Sequence, residues 1–266
     1  PALVILLWVY AGFATNLGGV VRQTYVMAVV PPRFLATATA VNFTALTLGG
    51  ALGNLAAGPI VDGPGFGAMG AGAMLVAGAA VFLTGVIVPE VKSEQVRVGS
   101  RQAFSGYSEV LQRPGMMLLT FMRLFATAYW AVATFLFPLL IYRVAGVASA
   151  AAYYGTASLV FASASQLAAG RVLDHLGCGR PTVILTAMLG AIGVVTTFFT
   201  HSLVGLYVCG VLGAGIAWGL ATATPSLIAQ LTPQDEHGRA MGLTQVATSL
   251  GMLSGTLLGG WLVDAN

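Results

Sequence analysis

Long apolar stretches separated by short polar turns run through almost the whole chain. Crossing the hydrocarbon of a bilayer takes about 20 mostly apolar residues, and eight stretches reach that length, near residues 3–29, 35–61, 67–89, 116–142, 150–173, 181–200, 203–230 and 238–263. No alternation typical of barrel strands is visible, and lipid offers no partner to unpaired backbone groups. The pattern predicts an all-α membrane protein with eight transmembrane helices.

One long polar stretch, residues 90–115, divides three predicted helices from five. We interpret it as a linker between two helical parts, residues 1–89 and 116–266. Cytoplasmic loops of membrane proteins are enriched in Lys and Arg, and the opposite loops here contain only Arg143. The linker is therefore predicted to be cytoplasmic, together with the loops that carry the other basic residues: Arg33, Lys92, Arg97, Arg101, Arg113, Arg171, Arg180 and Arg239.

The chain also repeats itself. Residues 31–62 align without a gap on residues 233–264, and ten of the 32 positions are identical. The identical positions include the pairs Gly49/Gly251, Gly53/Gly255 and Gly58/Gly260. Because internal repeats build many secondary transporters, two homologous helical halves and a transport function are expected.

Composition narrows the function classes. Hydrophobic residues make up 57% of the chain and charged residues 7%, against roughly 25% charged in soluble domains. The net charge of +3 reflects loop residues, so we expect a lipid bilayer and no nucleic acid as partner. Cys178 and Cys209 lie in different segments, and no metal-ligand spacing, nucleophile–base pair or phosphate loop is visible. Neither an enzyme, nor a cofactor, nor a metal is expected.

The loop after the fifth predicted helix combines glycines, an acid and a basic tail: Gly170, Asp174, Gly177 and Arg180. An Asp can accept hydrogen bonds from the N-terminus of a neighbouring helix, and nearby arginines can pair with it. The segment resembles the loop motif of the major facilitator superfamily (G-x-L-x-D-R-x-G-R-R), with His175 where that motif has Arg.

The resemblance implies a bundle of twelve helices in two six-helix halves joined by a cytoplasmic loop. The three and five helices around the linker would then be helices four to eleven, the last helix being absent. It also implies a monomer in a bacterial-type cytoplasmic (inner) membrane and alternating access to a small-molecule site. Asp174 is expected near the start of the second predicted helix, at residues 33–36, in an outward-open state.

The repeated unit resembles the antiporter motif of drug efflux members (G-x8-G-x3-G-P-x2-G-G). The second copy fits it better than the first. Small residues at three- and four-residue intervals give a smooth helix face, so we expect close helix packing, with a role in limiting leak as the alternative. The motif positions are Gly49, Gly53 and Gly58, then Gly242, Gly251, Gly255, Gly259 and Gly260. Residues 20–23 and 38–42 further resemble the enterobactin-exporter branch.

Charges inside membrane helices are costly and usually functional, and two lie within predicted helices, Arg22 and Arg123. The resemblance implies a gating role for Arg22, with snorkelling to the membrane surface as the alternative. Arg123, Thr127 and Trp130 share one helix face and are candidates for a substrate cavity, with an interfacial arginine as the alternative. Further cavity candidates are Asn42, Trp218 and Thr244, which could instead bond to neighbouring helices.

All eight carboxylates lie in or beside loops, so no proton-coupling acid is visible in these helices and coupling to protons is left open. The expected function is export of a drug-like or siderophore-like organic compound. Uptake of a small metabolite, or a non-transporting receptor or scaffold with the same fold, are the alternatives.

Overall fold

The fold is seen in a computed structural model that describes residues 2–88 and 100–264. Within these ranges the chain forms nine α-helices and two 3-10 turns, at Pro32–Phe34 and Gln234–Glu236, and no strand. The helices are α1 (Ala2–Val29), α2 (Leu35–Asp62), α3 (Phe66–Ile87), α4 (Ser100–Gln112), α5 (Met116–Ala145), α6 (Ala148–Leu176), α7 (Gly179–Thr196), α8 (Leu203–Leu231) and α9 (His237–Asp264).

Each of the eight predicted apolar stretches corresponds to one long helix, and the all-α prediction is confirmed. Five segments of these helices are long and apolar enough to cross a membrane by composition alone: Pro32–Ala56, Gly67–Ile87, Met116–Ala145, Gly179–Thr196 and Leu203–Leu231. The remaining long helices, α1, α6 and α9, have 28 or 29 residues, enough for about 42 Å at 1.5 Å per residue.

The stretch interpreted as a linker contains a helix that the sequence pattern did not predict. Val110 of α4 is fully buried, in a cluster with Met116, Leu119 and Met241. Gly106, one turn earlier, is covered by Arg239 of α9, whose Nη1 would lie 2.8 Å from an added Cβ. The described side chains of α4, residues 106–112, are a mixture of polar and apolar types, so no long apolar stretch marked this segment as a helix.

Successive long helices run in opposite directions. We call the end where α4 lies the linker end; it also holds the turns at residues 30–34, 177–178 and 232–236. The turns at residues 63–65, 146–147 and 197–202 form the far end. Gly146 and Gly177 have φ of 72° and 78°, a backbone conformation that glycine adopts without strain, and each ends a helix.

Helix α8 occupies the centre of the bundle, with Leu206, Leu220 and Ile228 fully buried. It packs against α5, α6 and α7, while α5 packs along α9 and α2 along α6. Helix α3 is exposed from residue 67 to residue 87. Because α3 is exposed, the buried contacts between helices divide the bundle into α1–α2 and α5–α9, which we call the two helical groups. A site inside the bundle would lie between these groups.

Candidate functional site

Asp174 closes the linker end between α6 and α2. Its Oδ1 accepts a hydrogen bond from the Ala36 N–H at 3.0 Å, and its Oδ2 accepts one from the Thr37 N–H at 2.9 Å. Both donors belong to the first turn of α2, whose N–H groups have no partner inside the helix and whose dipole favours a negative charge. The loop motif predicted a helix end for this Asp, and the structure places it there.

The expected pairing of Asp174 with a nearby arginine is not seen in the part of the chain that the structure describes. Both carboxylate oxygens are taken by backbone N–H groups of α2, and Arg180 is exposed. The residue of the motif that allows the close approach is Gly170. A Cβ there would lie 2.6 Å from the Ala40 Cβ and 3.0 Å from the Ala36 carbonyl oxygen.

Polar side chains continue this contact into the bundle. The Thr47 and Ser163 hydroxyls lie 2.7 Å apart, and the Thr44 hydroxyl donates to the Ser163 carbonyl at 3.3 Å. Gln166 is fully buried beside them, its Oε1 3.3 Å from the Thr44 Oγ1 and 3.4 Å from the Thr47 Oγ1. We call these four residues the polar seam of α2 and α6. Sequence reasoning missed it, although polar residues one turn apart on two apolar helices were a usable signal.

Burial of α2 stops part of the way along the helix. Ala51, one turn beyond Thr47, is buried, whereas residues 52–56 are all exposed. The described part of α2 is thus covered from the linker end to about the middle and uncovered towards the far end.

The second copy of the glycine repeat lies against α5. A Cβ on Gly251 would overlap the Thr127 hydroxyl and the Leu124 carbonyl oxygen, and one on Gly255 would overlap the Ala128 carbonyl oxygen and come 2.8 Å from the Ala131 Cβ. An added Cβ would lie at ordinary contact distance from Phe135 on Gly259, at 3.5 Å, and 3.2 Å from the Tyr107 hydroxyl on Gly242. A Cβ on Gly260 would meet none of the described residues within 4 Å.

The first copy is different. A Cβ on Gly49 or Gly53 would meet nothing within 4 Å, so the expected tight packing is not made at these positions by the described residues. The contact in this stretch belongs to Gly50, 3.5 Å from the Leu159 Cδ1. The reason is the orientation of α2, whose face with Thr44 and Thr47 packs against α6. The surroundings of Gly58 lie outside the described side chains.

Arginine and aromatic residues from both helical groups meet inside the bundle. The Arg22 guanidinium lies 5.8 Å from the centre of the Phe43 ring. The Phe43 and Trp218 rings meet edge to face at 5.7 Å, and Trp218 meets Trp130 in the same way at 6.0 Å. We call Arg22, Phe43, Trp218, Trp130 and Arg123 the central cluster.

Arg123 lies on α5 two turns before Trp130, and we count it with the cluster because the two residues share one face of the helix. Its Nη2 donates to the Thr248 hydroxyl of α9 at 3.1 Å. Its Nε is shielded from solvent and has no hydrogen-bond partner among the described residues, as is also true of the Arg22 Nε and the Trp218 indole nitrogen. Sequence reasoning had singled out these three residues but not Phe43, which contacts both Arg22 and Trp218.

The other cavity candidates lie elsewhere. Thr127 is buried against Gly251, and its hydroxyl donates to the Arg123 carbonyl at 2.6 Å. The Thr244 hydroxyl is buried and donates to the Met241 carbonyl at 3.0 Å. Asn42 is half-buried, one position from Phe43. The hydroxyls of Thr127 and Thr244 are thus bonded to carbonyls of their own helices.

A further polar contact joins α1 to α9. The Gln245 Nε2 donates to the Asn16 Oδ1 at 2.5 Å, and the Ser249 hydroxyl donates to the same oxygen at 3.2 Å. The Asn16–Gln245 and Asn16–Ser249 hydrogen bonds thus join the two helical groups. If the groups separate, water can replace these hydrogen bonds and those of the polar seam.

At the linker end an ion pair fixes the start of α5 to the turn before α9. The Arg113 Nε and Nη2 donate to the two carboxylate oxygens of Glu236, each at 2.6 Å. The hydrogen bond from Arg113 holds the pKa of Glu236 below its ordinary value of 4.5. The sequence placed both residues in loops but gave no reason to pair them.

The described residues contain no group of three or more His, Cys, Asp or Glu side chains that could hold a metal ion. What they do contain is an α-helical membrane bundle with a polar and aromatic cluster between two helical groups. Membrane transporters place their binding sites at such an interface.

The comparison with known families agrees. The sequence profile of the Major Facilitator Superfamily matches residues 1–226 and, in a second match, residues 149–266. The chain belongs to this superfamily of transporters, and it is an integral multi-pass membrane protein.

A curated relative is the tetracycline resistance protein, class E, of Escherichia coli, which is 30% identical over 127 residues. The matched region is 47% of this chain and 31% of that protein. The chain thus matches about a third of the length of this relative.

Proposed function

We propose that this protein is a secondary active transporter that exports a small organic compound. It would do so by exposing a site between α1–α2 and α5–α9 alternately to the two sides of the membrane. The observation that carries the proposal is the closure of the linker end by Asp174 on the α2 N-terminus, directly below the central cluster. Exposure of α2 beyond Ala51 supports a far-end opening.

The contacts between the two groups suit a rocking motion. They include the Asp174 hydrogen bonds, the polar seam, the Asn16–Gln245 contact and the edge contact of Phe43 with Trp218, beside an apolar cluster of Met27 and Leu35 with Met116 and Ile228. Hydrogen bonds of this kind can be exchanged for bonds to water at low net cost. The polar part of the interface therefore opposes separation of the groups only weakly.

Export is the direction that the relative supports, because that protein is named for resistance to tetracycline. The basic loops support a cytoplasmic position of the linker end, in an inner membrane of bacterial type. Tetracycline is accordingly the first compound to test, followed by other drug-like compounds.

The test is direction-resolved flux. Inside-out vesicles that contain the protein should accumulate the compound, and right-side-out vesicles should release it. Repeating the measurement with an imposed pH gradient of either sign shows whether protons drive it. Accumulation in right-side-out vesicles would establish uptake instead, and absence of any flux across a broad panel would favour a receptor or scaffold.

A further inference from the structure

The central cluster is rich in hydrogen-bond donors and poor in acceptors. A guanidinium and an indole nitrogen only donate, and three such nitrogens are shielded without a partner among the described residues: Arg22 Nε, Arg123 Nε and Trp218 Nε1. Thr248 takes one further N–H of Arg123. A ligand that completes this set must bring acceptor atoms.

The cluster is also uncompensated in charge. Arg22 and Arg123 bring two positive charges, and the carboxylates whose side chains the structure describes are all at the linker end: Glu109, Asp174, Asp235 and Glu236. Two of these are engaged, Asp174 with the α2 backbone and Glu236 with Arg113. Positive charges in a membrane interior need a partner, so the acceptor atoms are best placed on an anion.

The depth of the residues separates a charged level from an aromatic one. Arg22 lies seven residues before the end of α1 and Arg123 seven residues after the start of α5, about 10 Å from the linker end at 1.5 Å per residue. Trp130 and Trp218 lie 14 and 13 residues from the linker ends of α5 and α8, about 20 Å deep. A planar ring of a ligand could contact the edges or the faces of the two tryptophan rings.

From this arrangement we infer that the transported compound is an aromatic anion. Its negative group would lie between Arg22 and Arg123, and its ring system would lie against Trp130 and Trp218. The inference rests on the proposed transport function and names its substrate class. A cation would add to the existing positive charge, and a neutral compound would leave both guanidiniums without a counter-charge.

The experiment compares three probes of nearly equal shape on the purified full protein in lipid nanodiscs. They are 2-naphthoate, its neutral amide and the cationic 2-naphthylmethylammonium, with binding measured by calorimetry at one fixed salt concentration. We expect naphthoate to bind at least about tenfold tighter than the amide and the ammonium probe to bind weakest, since a tenfold change lies at the lower end of what a hydrogen bond to a charged group contributes.

Variants of the protein distinguish the contribution of charge to binding from the contribution of the aromatic rings. Arg123→Gln should remove the preference for naphthoate, and Arg123→Lys should keep much of it. Arg143→Gln changes an exposed arginine at the other end of the same helix and should bind as the parent does. Trp218→Leu should weaken all three probes by a similar factor, and thermal melting of each variant checks that it is folded.

Equal affinity for the three probes, absence of binding by all of them, or an unchanged preference in Arg123→Gln would overturn the inference. The last result would mean that a carboxylate outside the described residues neutralises Arg123. Flux of neutral or cationic compounds without naphthoate binding would overturn the inference and leave the proposed transport function intact. Naphthoate binding without flux of any compound would overturn the transport function and leave an aromatic-anion binding site in a receptor or scaffold.

Discussion

Asp174 of α6 accepts a hydrogen bond from the backbone N–H of Ala36 in α2 at 3.0 Å, although 138 positions separate the two residues in the chain. The second carboxylate oxygen is taken by Thr37. This contact ties the two helical groups together at one end only. Its strength should therefore set how much of the protein is closed at the linker end.

Replacing Asp174 with Asn should open the linker end more often. A carboxylate at a helix N-terminus contributes about 0.3–1 kcal/mol when exposed and up to about 2 kcal/mol when partly buried, so the ratio of closed to open protein should fall roughly two- to thirtyfold. Cys178 can report this, since it is buried four residues from Asp174; burial also raises the pKa of its thiol, which slows alkylation in the closed form.

We expect maleimide to label Cys178 faster in Asp174→Asn than in the parent, and transport to fall while the melting temperature changes little. Asp235→Asn is the matched control, because Asp235 is exposed at the same end. Equal labelling rates in all three proteins would remove Asp174 from the gate and leave it a loop-capping residue.

The two copies of the glycine repeat should respond differently to one substitution. Gly255→Leu forces a side chain into the Ala128 carbonyl oxygen and towards the Ala131 Cβ, and overpacking of this kind costs about 1–3 kcal/mol or more. At Gly53, the equivalent position of the first copy, an added Cβ meets none of the described residues within 4 Å, so Gly53→Leu should be accommodated.

The yield of monodisperse protein in detergent should fall several-fold for Gly255→Leu and stay near the parent's for Gly53→Leu. A normal yield and melting temperature for Gly255→Leu would mean that α5 and α9 do not pack as described.

Gln166 in the polar seam should destabilise the closed form and thereby favour opening of the linker end. Its Nε2 is buried and has no hydrogen-bond partner among the described residues, and an unsatisfied buried donor costs about 1–3 kcal/mol. Gln166→Leu removes that donor, while the Thr44 and Thr47 hydroxyls keep the carbonyl acceptors of Ser163 and Phe43.

The variant should melt at the parent's temperature or above it, and its transport should be slower because the open form loses the hydrated amide. Ser158→Ala, which removes a buried hydroxyl of α6, is the comparison outside the seam. A fall in melting temperature of Gln166→Leu would show that the hydrogen bonds of Gln166 outweigh its unpaired donor.

The Arg113–Glu236 ion pair should stabilise the folded protein by an amount that depends on pH. The pKa of Glu236 is lowered by the hydrogen bond from Arg113, so the folded state favours the carboxylate. The contribution is then fully present above the ordinary pKa of 4.5 and is lost as the pH falls through the lower folded value.

Melting temperatures of the parent and Glu236→Gln should differ at pH 7 and converge as the pH falls through the folded-state pKa of Glu236, which lies below 4.5. Raising the salt concentration should narrow the gap at pH 7, because both side chains are partly exposed and screening weakens such pairs. A gap that persists unchanged at low pH would assign the effect of Glu236 to packing.

Sequence alone determined the number and position of the long helices, since lipid requires long apolar stretches whose backbone groups are satisfied internally. Sequence alone also indicated the superfamily, because the Gly170–Arg180 loop and each glycine-containing repeat are short motifs that can be recognised within one segment. The helix end that Asp174 caps could be anticipated for the same reason, as the loop motif places an acid at a turn.

Tertiary structure alone decided which faces meet. In a membrane helix the face towards lipid is as apolar as the face towards protein, so the pattern did not reveal that α2 turns Thr47 to α6 and leaves Gly53 open, while the equivalent Gly255 lies against α5. The meeting of Phe43 with Trp218 and of Arg113 with Glu236 depends on residues far apart in the chain. Only the packing of the helices brings them together.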